Sequence, residues 1–233
     1  MALKKPDPPR ISINQLAEFM IAKAARQREI IRRNKFKQDF LVVYYKEASE
    51  AISLCLSSNM TDLYVVENAI SSLEQKSPDK IGTQRRLTAN IGALEAFQTM
   101  LDDINFGEAS PELGEHSPPR LQFHGVEVSV RPEIVLSAKG KGGKQLIGAT
   151  KLYMSRGTPL TDTSAGYIST ALQEHCRRNL SHRGDFSAPL CGVIDVGSKR
   201  VFPGVKATAA RLKDIEAACQ NIAALWDSIT EHA

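Results

Sequence analysis

The sequence predicts an α+β protein: an N-terminal all-helical region, then a mostly antiparallel sheet with a crossover helix and a long C-terminal helix. Three observations predict it. From Ser12 to Phe106 apolar residues recur at three- and four-residue steps, with no strand pattern between them. Residues 107–119, within GEASPELGEHSPPR, are rich in Pro, Gly, Ser and acids, the composition of a linker. Beyond residue 120 the apolar period falls to two, as strands require. The chain therefore divides into a flexible arm at 1–11, a helical region at 12–106, a linker at 107–119 and an α/β domain at 120–233.

Each element has its own signal. Ser12 with Gln15 forms a capping box, and Ile13, Leu16, Ala17 and Met20 then share a face. After a break near Ala22, AARQREIIRRNKFK continues as helix. Asp39 can cap a third helix carrying Phe40, Val43, Tyr44, Ala48, Ala51, Ile52 and Cys55, which ends at the SSNM turn. Thr61 or Asp62 starts a fourth, and the stripe Leu87, Ile91, Leu94, Phe97 marks a fifth. Leu121 to Val130 reads as strand turned at His124-Gly125, followed by strands at 133–136 and 146–154 joined by the cationic turn KGKGGK. Thr161 or Asp162 caps a helix through His175. Two short strands, LCGVIDVG and RVFPGV, precede a final helix from about Thr208 to Ile229.

Composition narrows the class. With 42% apolar residues in 233, the chain can build a core. The four cysteines, Cys55, Cys176, Cys191 and Cys219, have no CxxC or Cys/His ligand spacing, so free thiols in a reducing compartment are expected rather than structural zinc. No apolar run approaches the roughly 20 residues of a spanning helix, and the N-terminus lacks the pattern of a signal peptide. The expectation is a cytoplasmic protein without membrane contact.

The stretch from 120 to 156 concentrates the unusual residues: Glu133 at the start of a strand, a Gly-rich basic turn, and Lys151 near the end of the next strand. KGKGGK is not a phosphate loop, because Gly142-Gly143-Lys144 leads into strand rather than helix and Gln145 stands where Ser or Thr belongs. Strand–strand–strand–helix–strand–strand–helix, with Glu133 in Arg-Pro-Glu-Ile-Val and Lys151 in Gly-Ala-Thr-Lys, resembles the core of the PD-(D/E)XK nuclease superfamily, including its RecB- and Cas4-like branches. The resemblance covers about residues 120–205. It implies a site in which Glu133 holds a divalent metal, Lys151 orients the attacking water and Tyr167 on the following helix assists. The position two before Lys151, acidic in that family, is Ala149. A second carboxylate would then come from Asp162, Glu174 or Asp195. The resemblance implies Mg2+ if the site is active, and no cofactor if the fold is degenerate.

A second pattern is cationic. The helix from Lys23 carries Arg26, Arg28, Arg32, Arg33, Lys35 and Lys37 against a single acid, Glu29. Lys139, Lys141 and Lys144 in the turn, and Arg177, Arg178 and Arg183 after the crossover helix, repeat the sign. Cations at phosphate spacing neutralise a DNA or RNA backbone; on a solvated face they do nothing specific. Three functions stay open at the level of sequence. One is a nucleic-acid-binding protein on a catalytically degenerate nuclease-like core. Another is an interaction protein that meets a protein partner through its helical half. The third is an active Mg2+-dependent nuclease using Glu133 and Lys151.

Overall fold

The computed structural model describes residues 8–36, 44–155 and 157–231. Lys37, the Asp39 cap, Phe40, Val43 and the first seven residues of the arm lie outside the described residues. The fold is mixed α+β, with N-terminal helices, two mixed sheets and a long C-terminal helix.

Chain order starts with β1 (Arg10–Ser12) and α1 (Ile13–Ile21). Ser12 accepts a hydrogen bond from the Gln15 amide at 3.3 Å, which satisfies one of the first-turn N–H groups the helix cannot pair itself. α1 stops at Ala22, and α2 (Ala24–Lys35) follows. Then come α3 (Lys46–Ser57), α4 (Tyr64–Glu74) and α5 (Ile81–Gln98). The SSNM turn expected after α3 is present, with Asn59 and Met60 both at positive φ.

Three findings depart from the sequence reading. Arg10 and Ile11, placed in a flexible arm, form with Ser12 a strand that pairs in parallel with β4 (Val126–Ser129). The stretch read as a linker carries β2 (Ser110–Leu113), which pairs antiparallel with β5 (Ile134–Lys139). Its Pro111 is tolerated because β2 is an edge strand, where a missing N–H leaves no ladder bond unmade. The helices also do not form one unit, since α1 and α2 bury against a different side of the sheet from α3, α4 and α5.

The larger sheet has the order β2-β5-β6-β7-β8, where β6 is Gln145–Tyr153, β7 is Asp185–Asp195 and β8 is Arg200–Phe202. β5 and β6 are an antiparallel hairpin. β7 runs parallel to β6, because the chain returns between them through the crossover helix α6 (Asp162–Asn179). The smaller sheet, β1-β4-β3 with β3 at Leu121–Phe123, is turned at His124 and Gly125. Both sit at positive φ, +48° and +80°, as a two-residue hairpin turn demands.

Alternation sorts the core. Val135, Ile147, Ala149, Tyr153 and Val193 face a cluster with α1, α2, α6 and α7 (Ala209–Trp226), which also holds the smaller sheet. Ile134, Leu136, Leu152 and Ile194 face the cluster of α3, α4 and α5. Helices thus cover both faces of one sheet, as its near-continuous apolar strands require. The β6–β7 pairing slips between Ile147 and Ala149, and Gly148 lies in the slip. A Cβ at Gly148 would stand 2.2 Å from the Leu190 Cβ, so the two strands approach there only because the side chain is missing.

Candidate functional site

Glu133 and Lys151 face each other across the β5–β6 hairpin. The pairing of Ile134 with Thr150 places Glu133 opposite Lys151, and the Glu133 amide donates to the Thr150 carbonyl at 3.1 Å. Lys151 Nζ lies 2.5 Å from Glu133 Oε1, and the Leu152 amide donates to Glu133 Oε2 at 2.7 Å. The two side chains are 11% and 10% exposed. Both carboxylate oxygens are therefore engaged, one by a cation and one by the backbone of the strand that carries that cation. Ala149 is fully buried on the same strand face, in the apolar cluster under α6.

The pair borders an open cleft of about 550 Å³. Its walls come from α1 (Asn14, Glu18), the turn before α3 (Tyr44, Tyr45) and the end of β6 (Tyr153). A second cavity of about 380 Å³ runs along α3 past Leu54 to Leu113 and His116. The two share Ser49, Arg131 and Glu133, so together they form one groove with Glu133 and Arg131 at its middle. Arg131 is exposed and has no ion-pair partner among the described residues.

The second carboxylate of the cleft comes from an unexpected element. It is Glu18 of α1, and Arg26 of α2 holds it at 2.6 Å. Asp162 is exposed and ion-paired to Arg200 at 3.0 Å. Glu174 binds Arg177 and Arg178 on its own helix. Tyr167 points to α7, where its hydroxyl donates to Asp214 at 3.3 Å; burial first, then the Asp214 charge, push that hydroxyl up. The cleft takes Tyr153 instead, whose hydroxyl donates to the Thr158 carbonyl at 2.7 Å and is raised chiefly by burial.

Asp195 is the corrected case. The sequence reading gave it a neighbouring cation or a metal; the structure gives it two backbone N–H groups. It is fully buried, accepts from Leu160 at 2.9 Å and from Ser198 at 3.1 Å, and so ties the end of β7 to the loop before α6. Burial of a carboxylate is sustainable when hydrogen bonds replace its water.

The resemblance implies magnesium, and the residues present do not fit it. Magnesium needs oxygen ligands free to enter an octahedral shell. Glu133 and Glu18 are each neutralised by a cation at hydrogen-bond distance, and no group of three His, Cys, Asp or Glu side chains is placed to hold a metal among the described residues.

The cationic pattern is largely spent within the protein. Arg26 binds Glu18, and Arg32 and Arg33 both bind Glu29, whose carboxyl these two arginines hold below the usual range. Lys35 donates to the carbonyls of Trp226 at 2.6 Å and Ile229 at 2.9 Å, so it closes the end of α7. Arg183 binds Glu112, and Lys144 lies 3.7 Å from Asp185. Arg177 and Arg178 also lie over the rings of Phe186 and Phe123. Arg28, Lys139 and Lys141 have no ion-pair partner among the described residues.

Two of the three clusters do meet, since the β5–β6 turn and the end of α6 adjoin where Leu146 pairs with Asp185. That is the opposite end of the strands from Glu133 and Lys151. α2 packs elsewhere, on α1, α7 and β1.

Sequence reasoning missed Glu18, Arg131 and Tyr44. Two of these had a signal: Glu18 is the one acid of α1, and Arg131 stands in the same Arg-Pro-Glu run as Glu133. Neither a protein-family model nor a curated protein matches the sequence.

Proposed function

We propose that the chain is a nucleic-acid-binding protein built on a nuclease-like α/β core that has lost cleavage chemistry. The observation that carries this reading is the state of Glu133. It stands beside Lys151 on adjacent strands, as in the nuclease superfamily the sequence resembles, yet both of its oxygens are engaged within the protein. Ala149 supplies no acid, and the Glu18 carboxylate beside the pair is taken by Arg26. What remains open to a ligand is a groove lined by Arg131, which has no ion-pair partner among the described residues and carries the group best shaped to hold a phosphate.

Two measurements on the full chain test it. Fluorescence anisotropy with labelled oligonucleotides across a salt series should give binding that weakens as salt rises, because released counterions drive phosphate contact. A plasmid-nicking assay with Mg2+ or Mn2+ should give no cleavage above the level of a Glu133→Ala variant. Cleavage that disappears in Glu133→Ala would establish an active nuclease. Absence of any nucleic-acid binding would favour a protein partner on the helical layer, where Tyr64 and Ile81 are 70% and 72% exposed.

A further inference from the structure

We infer that the groove centred on Arg131 takes a single-stranded polynucleotide, with a phosphate on Arg131 and a base stacked on Tyr44. This rests on the nucleic-acid reading and adds the class of nucleic acid and the residues that meet it. Three observations converge. The first is dimension. Cavities of about 550 and 380 Å³ are each the size of a site for a small organic molecule, and they share Ser49, Arg131 and Glu133 in their walls. That shape admits consecutive nucleotides of one strand, whereas a duplex needs a broad, continuous cationic face. The second is charge. Most cations of α2 and of the α6 end are tied into ion pairs with Glu18, Glu29, Glu174 and Glu112, whereas Arg131, which lines both cavities, has no ion-pair partner among the described residues.

The third is the aromatic platform. Tyr44 is 47% exposed at the groove, and the adjacent Tyr45 ring meets it edge-on at 5.2 Å. Its backbone is held in place, since the fully buried Asn90 donates to the Tyr44 carbonyl at 2.7 Å. A fixed, half-exposed ring beside an unpaired cation is the arrangement by which proteins bind single strands, because every base offers a face to stack and every residue a phosphate.

The test compares a labelled 12-nucleotide oligo(dT), the RNA oligo(U) of that length and a 12-base-pair DNA duplex, by anisotropy at fixed salt. Either or both single strands should bind at least tenfold more tightly than the duplex, and the DNA and RNA arms decide the sugar. Arg131→Ala should weaken single-strand binding about tenfold and Arg131→Lys less. Tyr44→Ala should weaken it about fivefold or more, with Tyr44→Phe retaining it. The double variant Lys139→Glu/Lys141→Glu, at the far end of the sheet, should change it less than threefold. Circular dichroism confirms folding, which is expected because these side chains are exposed. Duplex binding as tight as single-strand binding overturns the inference and leaves the function standing. Single-strand binding indifferent to Arg131→Ala and Tyr44→Ala, or abolished by the Lys139/Lys141 variant alone, overturns the groove as its site. No binding of any of the three probes overturns both.

Discussion

Lys151 Nζ lies 2.5 Å from Glu133 Oε1 across neighbouring strands, and each side chain is only about a tenth exposed. An ion pair this far out of water is costly to form but costlier to halve, because the survivor becomes a desolvated charge without a partner. Lys151→Met should lower unfolding free energy by about 3 kcal/mol. The double variant Glu133→Gln/Lys151→Met should recover much of that, since neither charge then remains. Urea denaturation of the four proteins in the cycle measures the coupling directly. Additive losses would show that the two groups do not act as a pair.

Asp195 and Asp162 looked equivalent as spare acids, and their surroundings separate them. Asp195 is buried on two backbone donors, whereas Asp162 is an exposed partner of Arg200. Asp195→Ala strands the N–H groups of Leu160 and Ser198 and should cost about 2–4 kcal/mol, with Asp195→Asn costing about half as much because its amide oxygen still accepts one of them. Asp162→Ala should stay within about 0.5 kcal/mol of wild type. Thermal and urea unfolding rank the three. Equal effects at 195 and 162 would sink the assignment of Asp195 as a backbone tie.

Why one half of the site was legible and the other was not follows from the range of the contacts. Glu133 and Lys151 are equally distant in sequence from Gly142 at the hairpin tip, so a two-residue period and a Gly-rich turn suffice to set them opposite one another. Glu18 reaches the same cleft only because α1 packs on α6 and β4, and nothing local in INQLAEFMI encodes that. An apolar stripe says that a helix face is buried and not what buries it. That is also why α1 and α2 read as continuous with α3, α4 and α5, although they lie on the other side of the sheet. The partners of the cationic runs were hidden for a related reason. Glu112, which binds Arg183, is distant in sequence, Glu18 lies on the preceding helix, and Lys35 is satisfied by carbonyls, which carry no formal charge for the eye to balance.

Asn90 joins α5 to the beginning of α3. Its side-chain oxygen accepts from the Ala48 amide at 2.9 Å, and its nitrogen donates to the carbonyls of Tyr44 at 2.7 Å and Arg86 at 2.8 Å. With no exposure at all, its loss leaves those groups without water to replace it. Asn90→Ala should cost about 2–3 kcal/mol in urea unfolding. It should also weaken single-strand binding while the Tyr44 side chain itself is intact, because the platform loses its anchor. Hydrogen exchange at Ala48 and the following amides should rise in the variant. Unchanged protection there would mean that α3 is held by its apolar face alone.

His175 makes stability depend on pH in one direction. It is almost fully buried on α6, its Nδ1 lies 2.9 Å from Asn179 Nδ2, and burial pulls its pKa below the ordinary 6.5, with Glu115 opposing in part. The folded protein therefore takes up this proton less readily than the unfolded chain. Above about pH 6.5 both states are neutral at this residue and it has no pH effect. As pH falls through that value the unfolded chain binds the proton first, so unfolding free energy drops by up to about 1.4 kcal/mol per pH unit until the folded pKa is reached. The carboxyls held low by arginines, Glu29 and Glu47, lose their contribution only below the ordinary carboxylate value of 4.5, so the two effects occupy different windows. Unfolding followed from pH 7.5 to 5 should show this decline in wild type and a flatter profile in His175→Gln. Parallel profiles for the two proteins would remove His175 as the source.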